Sequence, residues 1–242
     1  MKSIVFVKHW RLHDVTHACV ASVLDNTEEN YFIVVIDGSA DEEPYTFPNQ
    51  LVSVKPLIPN LGLIESFNRF IRAMDADLWV CLNNDVIVAD RWLEAMIACI
   101  KREPRIGVIA PLYDQPGGGW LERSAPPPSD PRWQNHLDKF LAPPGVFAIY
   151  PHVDNCAWAF TKRLVDVIGL PDEQFTGAGW GANLDFCYRA RKAGFLVAAS
   201  LGSFVHHSGA RTYGGDPSYR SRSEASRDEI LRRKYGDPSV VW

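Results

Sequence analysis

Asp37 stands directly after the apolar run Ile33-Val34-Val35-Ile36 and directly before Gly38-Ser39. A carboxylate at such a point can accept hydrogen bonds from a nucleobase or a ribose, and the same residues also make an Asx-type turn that ends a strand. Asp85 follows Trp79-Val80-Cys81-Leu82-Asn83-Asn84. Hard divalent cations such as Mg²⁺ and Mn²⁺ take oxygen ligands, commonly one or two protein carboxylates plus diphosphate oxygens. One carboxylate flanked by amides suits that use, although Asn and Asp are turn formers as well. His206 and His207 follow Ser203-Phe204-Val205. Adjacent residues on extended chain point to opposite sides, so at most one of the two histidines faces a given site.

The stretch GAGWGANLDFCYRARKAGF, residues 177–195, is the most distinctive in the chain. Its glycines let backbone approach a neighbour closely, and Trp180 offers a flat face for a sugar ring. Leu184, Cys187 and Tyr188 make an i, i+3, i+4 stripe on a helix. Asn183 suits the N-cap of that helix, and Asp185 in its first turn suits the helix dipole. That capping arrangement is a sufficient structural reason for both residues. Three other features carry less. His9, His13 and His17 have helical i, i+4 spacing, but His9 ends a strand pattern, so the three do not share a helix. Gly117-Gly118-Gly119 lacks the strand, the helix and the Lys-Ser/Thr ending of a phosphate loop. No G-x-S-x-G element is present.

The elements that must position these residues alternate. Strand patterns at Ile4–Val7, Phe32–Ile36, Leu51–Val54, Leu78–Leu82 and Ile106–Ala110 are interleaved with helical ones. Those helices cover Thr16–Leu24, a face built from Leu63, Phe67, Phe70, Ile71 and Met74, and a face built from Leu93, Met96, Ile97 and Ile100 behind an Asp90 cap. Alternation of this kind predicts an α/β fold with a mostly parallel, doubly wound sheet, which binds ligands beyond the carboxyl ends of its strands. Asp37 and Asp85 both fall there. Residues 111–151 hold nine of the seventeen prolines and read as an irregular functional loop or lid. Beyond it come a strand near Asn155–Phe160, a helix over Asn183–Ala193 stopped by Gly194, strands near Leu196–Ala199 and Ser203–Val205, and a charged helical tail over Arg220–Tyr235.

The 242 residues suffice for one sizeable core. A net charge of -4 supplies no basic surplus for a nucleic-acid partner. No apolar run approaches the roughly 20 residues of a membrane span, and the opening MKSIVFVKHW has no signal-peptide pattern. Five scattered cysteines without a C-x-x-C pair read as core residues of a reduced, cytoplasmic protein. Nothing in the pattern sets an oligomeric state.

Together these pieces resemble the GT-A fold glycosyltransferases, especially the large inverting family of bacterial rhamnosyl-, galactosyl- and glucosyltransferases. Residues 4–42 resemble its first strand, helix and second strand, ending in a nucleotide-contacting Asp at Asp37. NLGLIESFN, from Asn60, resembles its N-x-G…N segment, and LNNDVIVADRWLEAM its D-x-D-type metal motif with Asp85 retained. Residues 179–209 resemble its late acidic motif, its R-x-x-x-A-G helix and its metal-binding His, placed at His206; LRRKYG resembles its basic-aromatic tail. The resemblance implies a single GT-A domain with a nucleotide-binding half (1–110), an acceptor-binding half (111–219) and a helical tail (220–242). It implies a nucleoside-diphosphate sugar bound by Asp37, Asn60, Asn84, Asp85, Trp180 and Gly181, a Mn²⁺ or Mg²⁺ ion on Asp85 and His206, and a glycan or other hydroxyl acceptor.

One departure matters. Where the family carries Glu-Asp before the second acid, this chain has Ala182-Asn183. The expectation is that Asp185 serves as catalytic base with Asn183 positioning the acceptor; Asp154, Asp172 and Glu173 are the other carboxylates to hand. ANLD also resembles the ENLE element of retaining enzymes that glycosylate polypeptides, so the stereochemistry stays open. Segment 209–222, with Arg211, Arg220 and Arg222, is expected to close over the diphosphate. Two rivals stand beside this reading. One is a catalytically degenerate sugar-nucleotide-binding relative, which Asn183 encourages; the other is a sugar-nucleotide pyrophosphorylase, which the glycine-free KHWRLHD opposes.

Overall fold

The computed structural model describes residues 1–114, 125–209 and 217–242. In chain order its elements are β1 (Ser3–His9), α1 (His13–Asp25), β2 (Tyr31–Asp37), β3 (Val52–Pro56), α2 (Leu63–Ile71), β4 (Leu78–Asn83), β5 (Val86–Val88), α3 (Trp92–Arg102) and β6 (Ile106–Asp114). Then follow α4 (Trp133–Phe140), β7 (Phe147–Ile149), β8 (Ala157–Thr161), α5 (Lys162–Ile168), α6 (Ala182–Lys192), β9 (Leu196–His207), α7 (Pro217–Tyr235) and a 3₁₀ turn at Pro238–Val241. The strands make one sheet in the order β3-β2-β1-β4-β8-β6-β9-β5, with β7 also on β9.

β1 to β4 pair in parallel. Their central members read as continuous apolar runs because both faces are covered: every residue of Val5–Val7 and Ile33–Ile36 is sealed from solvent. β8 enters antiparallel between β4 and β6, and β6 pairs in parallel with β9. The carboxyl ends of β1, β2 and β4 therefore lie side by side, with His9 opposite Asp37 and Lys8 opposite Asn83 in the register. The core is densely aromatic, with Trp158, Phe160 and Phe186 in mutual ring contact. Each such side chain contributes about 1.5–3 kcal/mol by its burial.

Several boundaries depart from the sequence pattern for local reasons. The helix after Asp90 starts at Trp92, because Arg91 takes the cap position in the left-handed region (φ 54°) and no side chain caps it. The two short strands expected after residue 195 are a single strand, β9, whose irregularity opposite Pro111–Leu112 broke the apolar alternation. The proline-rich middle holds α4 and β7. The Gly117–Gly119 run lies outside the described residues.

Candidate active site

Asp37 ends β2 and is buried. Its Oδ1 accepts from the Ser39 backbone N–H at 2.9 Å and the Ser39 hydroxyl at 3.1 Å, and its Oδ2 accepts from the Tyr45 N–H at 2.8 Å. This carboxylate therefore builds its own loop at the carboxyl end of β2. Asn60 and Lys8 crowd Gly38 beside it, since a Cβ there would lie 2.3 Å from Asn60 Oδ1 and 2.6 Å from Lys8 Nζ and would push those side chains aside. Asn60, Gly38 and Lys8 thus converge next to Asp37. Burial draws the Lys8 ammonium down to about 8, with Asp37 pulling the other way. Sequence reasoning passed over Lys8; a lysine ending an otherwise apolar strand was the available signal. His9, His13 and Tyr45 pack their rings together at the same edge, with centroids 4.6–5.5 Å apart.

Asn84 and Asp85 occupy the turn between β4 and β5. Asn84 is buried and donates from Nδ2 to Thr16 Oγ1 at 3.1 Å, so it ties the turn to α1. Asp85 is 6% exposed, and its Oδ1 lies 3.2 Å from His207 Nε2. The histidine expected there was His206. The register of β9 on β5, with His207 opposite Val86 and His206 opposite Ile87, turns His207 to this side. His206 instead places Nδ1 2.9 Å from both oxygens of Asp114, whose Oδ1 also accepts from the His207 N–H at 3.3 Å. A carboxylate and an imidazole in contact at a sheet's ligand-binding end can serve a divalent transition metal such as Mn²⁺ better than Mg²⁺, which prefers oxygen ligands throughout. Among the described residues no cluster of three or more His, Cys, Asp or Glu could hold a metal by itself. A two-ligand protein contribution fits an ion whose remaining ligands come from a diphosphate.

Trp180 and Gly181 lead into α6. Gly181 holds φ 94° at the helix N-cap, where a Cβ would meet Arg227 Cγ at 2.4 Å and Phe175 at 2.9 Å, so only glycine fits this junction. Because α6 begins at Ala182, Asn183 is inside the helix and not its cap. Asn183 and Asp185 then diverge by about 200° around the axis. Asn183 donates from Nδ2 to the Val153 carbonyl at 2.6 Å. Asp185 is fully buried and accepts from Arg189 Nε at 2.9 Å and from the Tyr235 hydroxyl at 2.5 Å, with Lys234 also paired to it. That carboxylate joins α6 to α7 inside a buried junction. Of the residues expected to close over diphosphate, Arg211 lies outside the described residues, Arg220 lies in α7, and Arg222 is exposed on α7.

Among the described residues no helix is long and apolar enough to cross a membrane. All five cysteines are buried free thiols.

Comparison with known proteins agrees with this architecture. The profile of glycosyl transferase family 2 matches residues 4–169. Uncharacterized proteins of Mycobacterium tuberculosis and Mycobacterium bovis are 25% identical over 95% of this chain and 84% of their own length. Among solved structures, GalNAc-T7 with UDP, GalNAc and Mn²⁺ superposes with a TM-score of 0.66 at 21% identity, covering 86% of this chain and 44% of that one. The mannosyltransferase PcManGT from Pyrobaculum calidifontis, in complex with GDP-Man and Mn²⁺, superposes at 0.61 and 13% identity, covering 96% of this chain and 64% of that one. The chain thus spans less than two thirds of either solved relative. With the parallel half-sheet, the strand-end aspartates and a family match over most of its length, the chain belongs to glycosyl transferase family 2 and has the GT-A fold.

Proposed function

We propose that the protein transfers a hexosyl group from a nucleoside-diphosphate sugar to a hydroxyl acceptor in a divalent-metal-dependent reaction. The observation that carries the metal dependence is the buried contact between Asp85 and His207 at the carboxyl end of β4. Asp85 and His207, in place of His206, would hold the ion, and its chemistry there is Lewis-acid neutralisation of diphosphate charge. Both solved relatives carry Mn²⁺ in their complexes, which supports the same use here.

The chain's own residues divide the remaining work. Asp37, Lys8 and Asn60 border the strand-end edge where a nucleoside would lie. Trp180 and Gly181 shape the sugar side, and α6 places Asn183 against the segment entering β8. The acceptor oxygen attacks the anomeric carbon as the bond from that carbon to the diphosphate oxygen breaks.

The test is nucleoside-diphosphate binding with and without Mn²⁺, read by calorimetry for UDP and GDP. Asp85→Ala and His207→Ala are each expected to abolish the Mn²⁺-dependent increment of at least about tenfold in affinity, and His206→Ala to retain most of it. Loss in His206→Ala with retention in His207→Ala would return the assignment to His206. Wild-type binding without turnover of any sugar nucleotide would favour the degenerate relative that an amide at position 183 suggests.

A further inference from the structure

The proton of the attacking hydroxyl needs a destination, and the two positions flanking Asn183 where α6 could carry an acid do not supply one. Ala182 has no acid, and Asp185 is sealed against α7. We propose that Asp154, in the segment between β7 and β8, is the catalytic base that accepts this proton; this rests on the transfer reaction proposed above.

Three contacts put Asp154 beside the reaction centre. The Asn83 N–H donates to the Cys156 carbonyl at 2.8 Å, which joins the entry of β8 to the end of β4, two residues before Asp85. Asn183 Nδ2 donates to the Val153 carbonyl, so the residue that follows Val153 stands next to the amide occupying the family's acid position. Asn155 Nδ2 lies 3.4 Å from the Gly179 carbonyl, tying the same segment to the loop that carries Trp180. Asp154 therefore sits where β4, β8 and the α6 N-terminus meet. The buried Cys156 thiol reports the same juxtaposition: burial pushes it well up, and the carboxylates of both Asp154 and Asp85 push it further.

Pairing separates Asp154 from its neighbours. Asp166 is paired with Lys162, Asp172 with Lys234, Glu173 with Arg72, and Asp185 with Arg189 and Lys234. Among the described residues Asp154 has no ion-pair partner. It accepts the Cys156 N–H at 2.8 Å on Oδ1, which fixes its orientation, and it is only partly buried. A carboxylate that is oriented and unneutralised is what a proton acceptor needs.

In the step, a lone pair of the acceptor oxygen forms the bond to the anomeric carbon, and the carbon–oxygen bond to the diphosphate breaks with its electrons leaving on the nucleoside diphosphate. The hydroxyl proton passes to the Asp154 carboxylate and from there to water. The acid has moved across the cleft, from α6 to the facing segment.

The experiment measures release of nucleoside diphosphate from UDP-, GDP- and dTDP-hexoses with Mn²⁺, water being the acceptor, and then repeats it with azide. Azide carries no proton to shed and needs no base. Asp154→Asn is expected to slow hydrolysis by about 10²–10⁴-fold, the usual contribution of such a group. Sugar-nucleotide affinity should hold within about threefold, and glycosyl azide formation should stay near the wild-type rate. Adding Asn183→Asp to that variant should recover at least about tenfold in hydrolysis, because it restores an acid on the α6 side. Hydrolysis by Asp154→Asn within about tenfold of wild type would overturn the proposal. So would equal loss with water and azide accompanied by weaker sugar-nucleotide binding, which would make Asp154 a contact to the donor sugar. If the wild type turns over none of the donors, the transfer reading fails, and the base fails with it.

Discussion

His9 shows how a single residue can tie stability to pH at the nucleotide edge. It is fully buried, its Nδ1 is 2.7 Å from Thr16 Oγ1, and Nε2 is 4.0 Å from Asp37. Burial draws it down to about 4, Asp37 opposes that, and His13 and Lys8 reinforce it. The unfolded chain takes up the proton near pH 6.5 while the folded protein does not until about 4. The stability held by neutral His9 is thus fully present above pH 6.5 and is lost as pH falls toward 4. His9→Gln, which keeps a polar group for Thr16 and cannot ionise, should flatten the fall of melting temperature over that window. An unchanged slope would assign the acid sensitivity to other groups. At this scale the sequence was only half readable. Asp37 and Asp85 were visible because a strand pattern stopped at each. The choice between His206 and His207 was not, because strand phase is set by the partner. The pairing of His207 with Val86 and of His206 with Asp114 depends on residues more than ninety positions away.

The helices show what their own periodicity conveys and what it omits. α2 was legible as a helix from its spacing, but of the expected face only Phe67 and Ile71 are buried, Ile64 joins them where Leu63 was expected, and Met74 lies beyond the helix end. The start of α6 was misjudged because Asn183 is a good capping residue, yet Gly181 already turns the chain through the left-handed region two residues earlier. That shift decides the fate of Asp185. The carboxylate becomes the hub of a buried junction in which Arg189 also donates to the carbonyls of Ile168 at 2.8 Å and Leu170 at 3.0 Å, while Lys234 reaches Asp172 at 2.6 Å. Asp185→Ala would leave Arg189 with the two carbonyls and Lys234 with Asp172 alone, and the lost charge-assisted bonds should cost about 1–3 kcal/mol of stability. Tyr235→Phe removes one hydrogen bond to a charged acceptor and should cost about 1–3 kcal/mol. Chemical denaturation checks both. If Asp185→Asn left stability unchanged but abolished transfer with donor binding intact, Asp185 would regain its candidacy as base, so the same variant series also weighs against Asp154.

The whole molecule is knitted by strands that run against sequence order. β8 lies between β4 and β6 of the segment before it, and β6 pairs with β8 on one side and β9 on the other. Sequence alternation conveyed β1 to β4 because each parallel crossover is local, but an antiparallel insertion from seventy residues downstream leaves no local signal. The expected nucleotide-binding half, 1–110, therefore ends within β6 and lacks the strand that covers Leu78–Leu82 of β4. A fragment of that length would expose one edge of a strand whose residues are otherwise sealed, which predicts aggregation and not independent folding. The full chain should unfold in one transition, with tryptophan fluorescence and far-ultraviolet circular dichroism coinciding, since Trp79, Trp92 and Trp158 are buried on elements from both halves. Under the proposed function, nucleoside diphosphate with Mn²⁺ is expected to bind the folded state alone and to raise that single transition, by about 2.7 kcal/mol at a hundredfold excess over the dissociation constant. Asp85→Ala should remove the rise and leave the single transition in place. Two separated transitions, or a folded 1–110 fragment with its own ligand-dependent melt, would show instead that the nucleotide-binding half is an autonomous unit to which the acceptor half is merely docked.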